Sequence, residues 1–260
     1  MEDRLRIYLA GSIGMERDGR FVPQGDLPGA QGRLVLAMLA LERDRAVPTG
    51  ELADELWGED PPRAWDGALR ALVSKVRSAL APVGMGDTEA LVSALGCYQL
   101  HLPARTWIDL ETATDAAHRA ESALRAGNSE EANGWTLVAG SIARRPFLQG
   151  MDGPWTEQRR QDLRALRVRS LECRAQILIG KADHALAIRD LEEVLELEPF
   201  RETAYLLLMQ AHAANGNRAE ALRVYDRCRR RLMEELGADP SPQIETQYLG
   251  ILRTGITSPS

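Results

Sequence analysis

The chain of 260 residues is almost without lysine: Lys75 and Lys181 are the only two, so nearly all of its 32 basic residues are arginine. An Ala/Arg/Gly-rich coding background accounts for that total, and only the placement of individual arginines can bear on function. Cysteine is also scarce. Cys97, Cys173 and Cys228 are scattered and odd in number. This argues against a disulfide framework and for a reducing cytosol. No run approaches the ~18 apolar residues that a membrane span requires. Met1-Glu2-Asp3-Arg4 lacks the apolar stretch of a secretory signal. Catalytic signatures are missing too: there is no GxSxG, HExxH, P-loop or GxGxxG. His101, His118, His184 and His212 lie far apart in sequence, and none pairs with Cys or carboxylates at ligand spacing. The three cysteines fall at apolar or helix-packing positions and read as small core residues. Neither an enzyme nor a metal or cofactor site is expected.

Apolar residues make up 44% and charged residues 27%, enough for buried cores with a hydrated surface. The net charge of −6 argues against a chain coated in positive charge. The charge is uneven. Residues 1–103 hold 11 basic and 15 acidic residues, a sum of −4, and residues 104–260 hold 21 and 23, a sum of −2. Between Arg63 and Ser78 the sign reverses: Arg63, Arg70, Lys75 and Arg77 against Asp66 alone leave +3.

The first part, residues 1 to 103, mixes strands and helices. Leu5–Leu9 alternates weakly, and Asp18-Gly19 is a hairpin turn between Gly14–Arg17 and Arg20–Val22. Leu34–Leu41 reads as a buried helix. A short helix follows over Glu51–Trp57, with Thr49 as its N-cap and Gly58, Pro61 and Pro62 ending it. A third helix spans Trp65–Leu80, because Leu69, Leu72, Val73, Val76 and Leu80 form one apolar stripe. Ala90–Leu102 closes the region as a hairpin turning at Leu95-Gly96. Strands, three helices, then a hairpin is the layout of a winged helix-turn-helix.

Residues 104–253 read as helical throughout, with a disordered tail over 254–260. Breaks fall at Gly127-Asn128, Gly150–Pro154, Gly180, Pro199, Gly216 and Pro240. Gly127/Ala132, Gly180/Ala185 and Gly216/Ala221 repeat a turn glycine and a small helix-packing residue five positions later. In another frame, Ala187, Leu191 and Pro199 sit at tetratricopeptide (TPR) positions. Ala221 and Tyr225 repeat the first two 34 residues later, while Met233 replaces the proline. The expected fold class is mainly α with a small β component, a winged helix-turn-helix followed by a TPR-like helical domain.

The third helix is the leading functional candidate. A recognition helix buries one stripe and offers short polar and basic side chains to the major groove from the other face. An amphipathic helix with a solvated basic face has the same pattern. Three segments separate the two readings: Leu34–Ala40, Glu51–Pro62 and Leu72–Leu80, including Leu-Trp-Gly-Glu-Asp-Pro-Pro. They resemble the DNA-binding region of the Streptomyces antibiotic regulatory proteins, OmpR-type winged-helix activators of actinobacterial secondary metabolism. Pro154-Trp155 with Arg159-Arg160, Gly216–Tyr225, Arg229–Leu232 and Glu234–Pro242 resemble the bacterial transcriptional activation domain of the same family.

The resemblance implies that Trp65–Leu80 enters the major groove and that Ala90–Leu102 is the wing. It places Arg70, Ser74, Lys75 and Arg77 at positions where the family presents polar or basic contacts; Arg63 and Ser78, which bound the basic stretch, and Tyr98 in the wing complete the expected DNA contacts. The implied partners are double-stranded promoter DNA with direct repeats, a second copy of the chain on that DNA, and RNA polymerase with its sigma factor. No membrane partner is implied, and the location is the cytoplasm, at the nucleoid. Three departures stand out. The wing turn Ala94–Tyr98 lacks an arginine, Asp66-Gly67 replaces a basic residue and Asn, and Leu72 replaces a polar residue. They leave a second reading open, a regulatory interaction protein that binds DNA weakly and works through its helical repeats.

Overall fold

The computed structural model describes residues 4–253; the tail expected over 254–260 lies outside the described residues. The chain forms two compact units. One runs up to Thr114 and includes Ser141–Leu163; the other takes Asp115–Gly140 and the chain from Arg164 on. No described helix is long and apolar enough to cross a membrane.

The first unit opens with β1 (Arg6–Tyr8), β2 (Gly14–Arg17) and β3 (Arg20–Val22). Asp18 and Gly19 turn the β2–β3 hairpin with φ of 51° and 74°, so Arg17 faces Arg20 in register. Then come α1 (Gly29–Leu41), β4 (Val47–Pro48), α2 (Thr49–Trp57) and α3 (Trp65–Leu80). Strands β5 (Leu91–Ala94) and β6 (Cys97–Leu100) form the wing, and β7 (Trp107–Ile108) closes the set. One sheet has the order β3-β2-β1-β7, with β7 parallel to β1; the other is β4-β6-β5. This is the winged-helix arrangement.

Helix α1 starts at Gly29, earlier than the apolar run suggests, and its residues from Leu34 to Ala40 are all buried. It is the core on which α2 and α3 pack. α3 buries Leu69, Val73, Val76 and Leu80, while Leu72 is only half-buried. Thr49 is not the N-cap of α2. Pro48 occupies that position with no side-chain cap. Thr49 N instead donates to the Gly96 carbonyl at 2.9 Å, because Val47-Pro48 pairs with β6. The start of α2 is thus anchored to the wing.

Two buried carboxylates hold this unit together. Asp109 is fully buried where β7 meets α4 (Asp109–Arg125). Its Oδ1 accepts from Leu9 N and Leu110 N, both at 2.9 Å, and its Oδ2 from Ala10 N at 3.0 Å. Burial raises its pKa despite these donors. Glu55 on α2 is 5% exposed and meets the start of α6 (Pro154–Gly180). Its Oε2 accepts from Trp155 N at 3.0 Å; its Oε1 accepts from Thr156 N at 2.9 Å and Thr156 Oγ1 at 2.6 Å. The first N–H groups of a helix have no partner inside it, and a carboxylate satisfies them while complementing the helix dipole. A Cβ at position 153 would overlap the Glu55 carboxylate, so Gly153 leaves the room for this contact. Trp155 Nε1 adds a bond to Glu42 Oε1 at 2.8 Å, near the end of α1. Arg160 ties the preceding loop down, donating to the carbonyls of Phe147, Leu148 and Met151 at 3.2, 2.8 and 2.7 Å.

The second unit contains most of α4, α5 (Ser129–Ala143) and α6. It continues through α7 (His184–Leu197), α8 (Glu202–Ala214), α9 (Arg218–Leu236) and α10 (Pro242–Arg253). Three turns here are built alike. Gly127, Ala182 and Gly216 have φ of 77°, 60° and 77°. The next residue donates back across the turn each time: Asn128 N to Ala123 O, Asp183 N to Leu178 O, and Asn217 N to His212 O, all at 2.9 Å. Five residues after each left-handed position, Ala132, Ala187 and Ala221 are fully buried. The repeating pair in the middle turn is therefore Ala182/Ala187, not Gly180/Ala185; Ala185 is exposed. Ala182 and Gly216 stand 34 residues apart, the TPR period. The buried Tyr205, Leu208, Met209, Leu191, Val194 and Cys228 fill the core between α7, α8 and α9. Burial pushes the Cys228 thiol up to about 12 and the Cys173 thiol up to about 11, whereas Cys97 is half-buried on the wing.

Removing the Glu55 carboxylate strands three donors, two of them buried. Glu55→Ala is expected to lower the unfolding free energy by about 3 kcal/mol, and Thr156→Val, which loses one bond, by about 1 kcal/mol. Urea unfolding checks both; equal and negligible effects would overturn the role of this carboxylate. Leu95 occupies the first position of the two-residue wing turn with φ of 50°, followed by Gly96 at 72°. Asn suits that left-handed position better than Leu, so Leu95→Asn should raise stability by about 0.5–1 kcal/mol in thermal melts.

Candidate nucleic-acid interface

The outward face of α3 follows from its buried stripe. With Leu69, Val73, Val76 and Leu80 turned inward, Arg70, Ala71, Ser74, Lys75 and Ser78 are exposed. Arg63 is exposed in the loop just before the helix. Five of the seven residues expected to touch DNA thus share one accessible region. Their partners are local. The Arg70 guanidinium pairs through Nη2 with the Asp66 carboxylate, and its Nε donates to the Asp66 carbonyl at 3.3 Å. Ser78 Oγ donates to the Ser74 carbonyl at 3.1 Å, a helical back-bond.

Arg77 and Tyr98 do something else. Arg77 is half-buried, and its Nη2 donates to the Leu91 carbonyl on β5 at 2.8 Å. Its Nε is buried without a hydrogen-bond partner. This arginine clamps α3 to the base of the wing. Tyr98 is 5% exposed and lies opposite Val47 and Ser93 in the small sheet. Its side chain is core and offers no surface to a duplex. Both placements were legible. Arg77 follows Val73 by four residues and so borders the apolar stripe. Tyr98 shares its strand face with the buried Leu100, two residues on.

The wing itself carries no charge at its end: Ser93, Ala94, Leu95 and Gly96 are all exposed, and Leu95 is fully so. Asp66 and the uncharged wing turn stand out in the sequence as departures; what residue type alone does not show is that Asp66 engages Arg70. Among the described residues no group of three or more His, Cys, Asp or Glu side chains could hold a metal ion.

Comparison with known proteins adds to the geometry. The family of the bacterial transcriptional activator domain matches residues 108–252. The regulatory protein AfsR of Streptomyces coelicolor is 35% identical over 249 residues, which is 96% of this chain but 24% of AfsR. The transcriptional regulatory protein MoaR1 of Mycobacterium tuberculosis is 30% identical over 258 residues, covering 96% of this chain and 79% of MoaR1. The solved structure of Mycobacterium tuberculosis EmbR in complex with a low-affinity phosphopeptide is 29% identical. It aligns with a TM-score of 0.83 over 97% of this chain and 66% of EmbR. The chain therefore spans about a quarter of AfsR and about two thirds of the EmbR chain. With its second half matching the activator domain and nearly its whole length matching MoaR1, the chain belongs to the Streptomyces antibiotic regulatory protein family of transcriptional regulators.

Proposed function

We propose that the chain is a sequence-specific transcription activator that places α3 in the major groove of promoter DNA. The observation that carries this reading is the exposed face of α3, where Arg70, Ser74, Lys75 and Ser78 stand opposite a fully buried stripe, with Arg63 just upstream. These are the side-chain types that reach guanine edges and phosphates. The wing flanks the helix, held there by Arg77 and by the Thr49–Gly96 bond. Two copies would occupy direct repeats, and the helical repeats would recruit RNA polymerase through its sigma factor, since stacked helical hairpins build a long docking surface. The regulated genes would be a secondary-metabolite cluster, read in the cytoplasm.

One observation favours a second reading, a regulatory protein that binds DNA weakly. The wing end is uncharged, and two of the seven expected contacts are committed inside the fold.

A salt series separates the two. Fluorescence anisotropy on promoter duplexes of the neighbouring gene cluster should show a specific complex. Arg70→Ala is expected to weaken it about tenfold or more, and Lys75→Ala to lower the slope of log affinity against log salt by about one. No complex at ~50 mM salt, where phosphate contacts are least screened, would overturn the activator reading in favour of the second.

A further inference from the structure

We infer that Asp66 is a positioning residue that presents Arg70 to a guanine and denies it to bare phosphate. The inference deepens the proposed DNA-binding reading and rests on it. Asp66 and Arg70 lie one turn apart at the start of α3, with side chains 56% and 67% exposed. A guanidinium has five N–H donors in a planar fork. Two of Arg70's point back to its own helix: Nε–H to the Asp66 carbonyl and one Nη2–H to the Asp66 carboxylate. One N–H on Nη2 and both on Nη1 remain. One from each nitrogen makes the end-on fork that fits guanine O6 and N7 together.

The pair contributes little to the fold. Exposed ion pairs of this spacing are worth a fraction of a hydrogen bond to stability. Its effect on binding is different. A flexible arginine reaches phosphate and base edge alike, whereas one held at two points has less freedom to lose when it meets a base edge. The Asp66 carboxylate repels a phosphate brought to the same place. It tolerates a base edge, because its unused oxygen lone pairs can accept from an exocyclic amine such as cytosine N4. Uncompensated repulsion of the wrong ligand is a means of specificity in its own right. The wing end, Ser93–Gly96, carries no cation of its own to add phosphate binding.

The test uses the full chain. Wild type, Asp66→Ala, Asp66→Asn and Arg70→Ala are each selected against a pool of randomised duplexes. Anisotropy then gives affinities for the enriched duplex and for a scrambled duplex over a salt series, with thermal melts confirming that all four fold. Asp66→Ala is expected to bind the scrambled duplex more tightly and the enriched duplex no better, so the ratio of the two falls about tenfold. The same guanine preference should vanish from the Asp66→Ala and Arg70→Ala selections, and Asp66→Asn should fall between Asp66→Ala and wild type. If Asp66→Ala tightens both duplexes by the same factor, the acid is only a repulsive charge and the inference is overturned. It is equally overturned if the guanine preference survives in Asp66→Ala. A wild type that enriches no sequence sinks the DNA-binding reading itself; a wild type that enriches a site which Asp66→Ala retains sinks only the role of Asp66.

Discussion

A buried carboxylate must be met by donors or it destabilises the fold that buries it. Glu55 meets that condition with three donors from the first turn of α6, contributed by Trp155 and Thr156. Much of the first unit is arranged around this contact. Gly153 keeps the approach open, Pro154 starts the helix without needing an N–H, and Trp155 reaches across to Glu42. Phe147 packs against Trp155 with ring centroids 5.9 Å apart, and the same residue bridges to Ala10 beside β1. Helix α2, which supports α3, is thereby fastened to residues about a hundred positions further along the chain. A division near residue 103 describes the order of the chain; compactness groups Ser141–Leu163 with the helix-turn-helix.

Acceptors inside the fold also take several arginines away from the surface. Arg77 sits at the edge of the apolar stripe of α3 and meets a strand carbonyl through Nη2, so it joins α3 to the base of the wing. Arg160 stitches a loop by three carbonyls. In the second unit Arg174 pairs with the buried Asp190, and Arg201 with Glu172. A guanidinium offers more donors than any other side chain, and a chain nearly devoid of lysine uses it for internal fastening as well as for its surface.

Much of this was legible in the sequence wherever a local rule applied. The Asp18-Gly19 hairpin, the stripe of α3, the wing turn and the helix breaks all follow from turn residues and periodicity. Elements that depend on a distant partner were not. Strands β4 and β7 are two residues each and exist only because β6 and β1 lie beside them. Thr49 reads as an N-cap by type, yet its N–H is claimed by the wing. Glu55 did leave a trace: it lies between Ala53 and Leu56 on the buried face of α2, and a carboxylate at a core position announces a partner without naming it. The middle helical turn shows how residue type can mislead. Gly180 draws attention as the turn glycine, but the left-handed position is two residues on, at Ala182. Alanine accepts that conformation at a cost of roughly 1–2 kcal/mol, offset by the packing of the helices that the turn joins.

The charge balance can now be assigned to places. Of the four basic residues read along α3 and its approach, Arg77 is turned inward and Arg70 is shared with Asp66. Arg63 and Lys75 are the other exposed cations of that stretch. On the proposed reading such a surface neutralises few phosphates, so its grip on random DNA is weak and its salt dependence shallow. Weak non-specific binding is not a defect in a regulator, because a genome offers an excess of wrong sites and the useful quantity is the ratio of specific to non-specific affinity. On the same reading a small footprint would gain strength from a second copy on the adjacent repeat, held at high local concentration by contacts between the two copies. On the proposed reading, the net charge of −6 and the single outward arginine of α3, Arg70, belong to one arrangement, in which selectivity would be built by withholding charge.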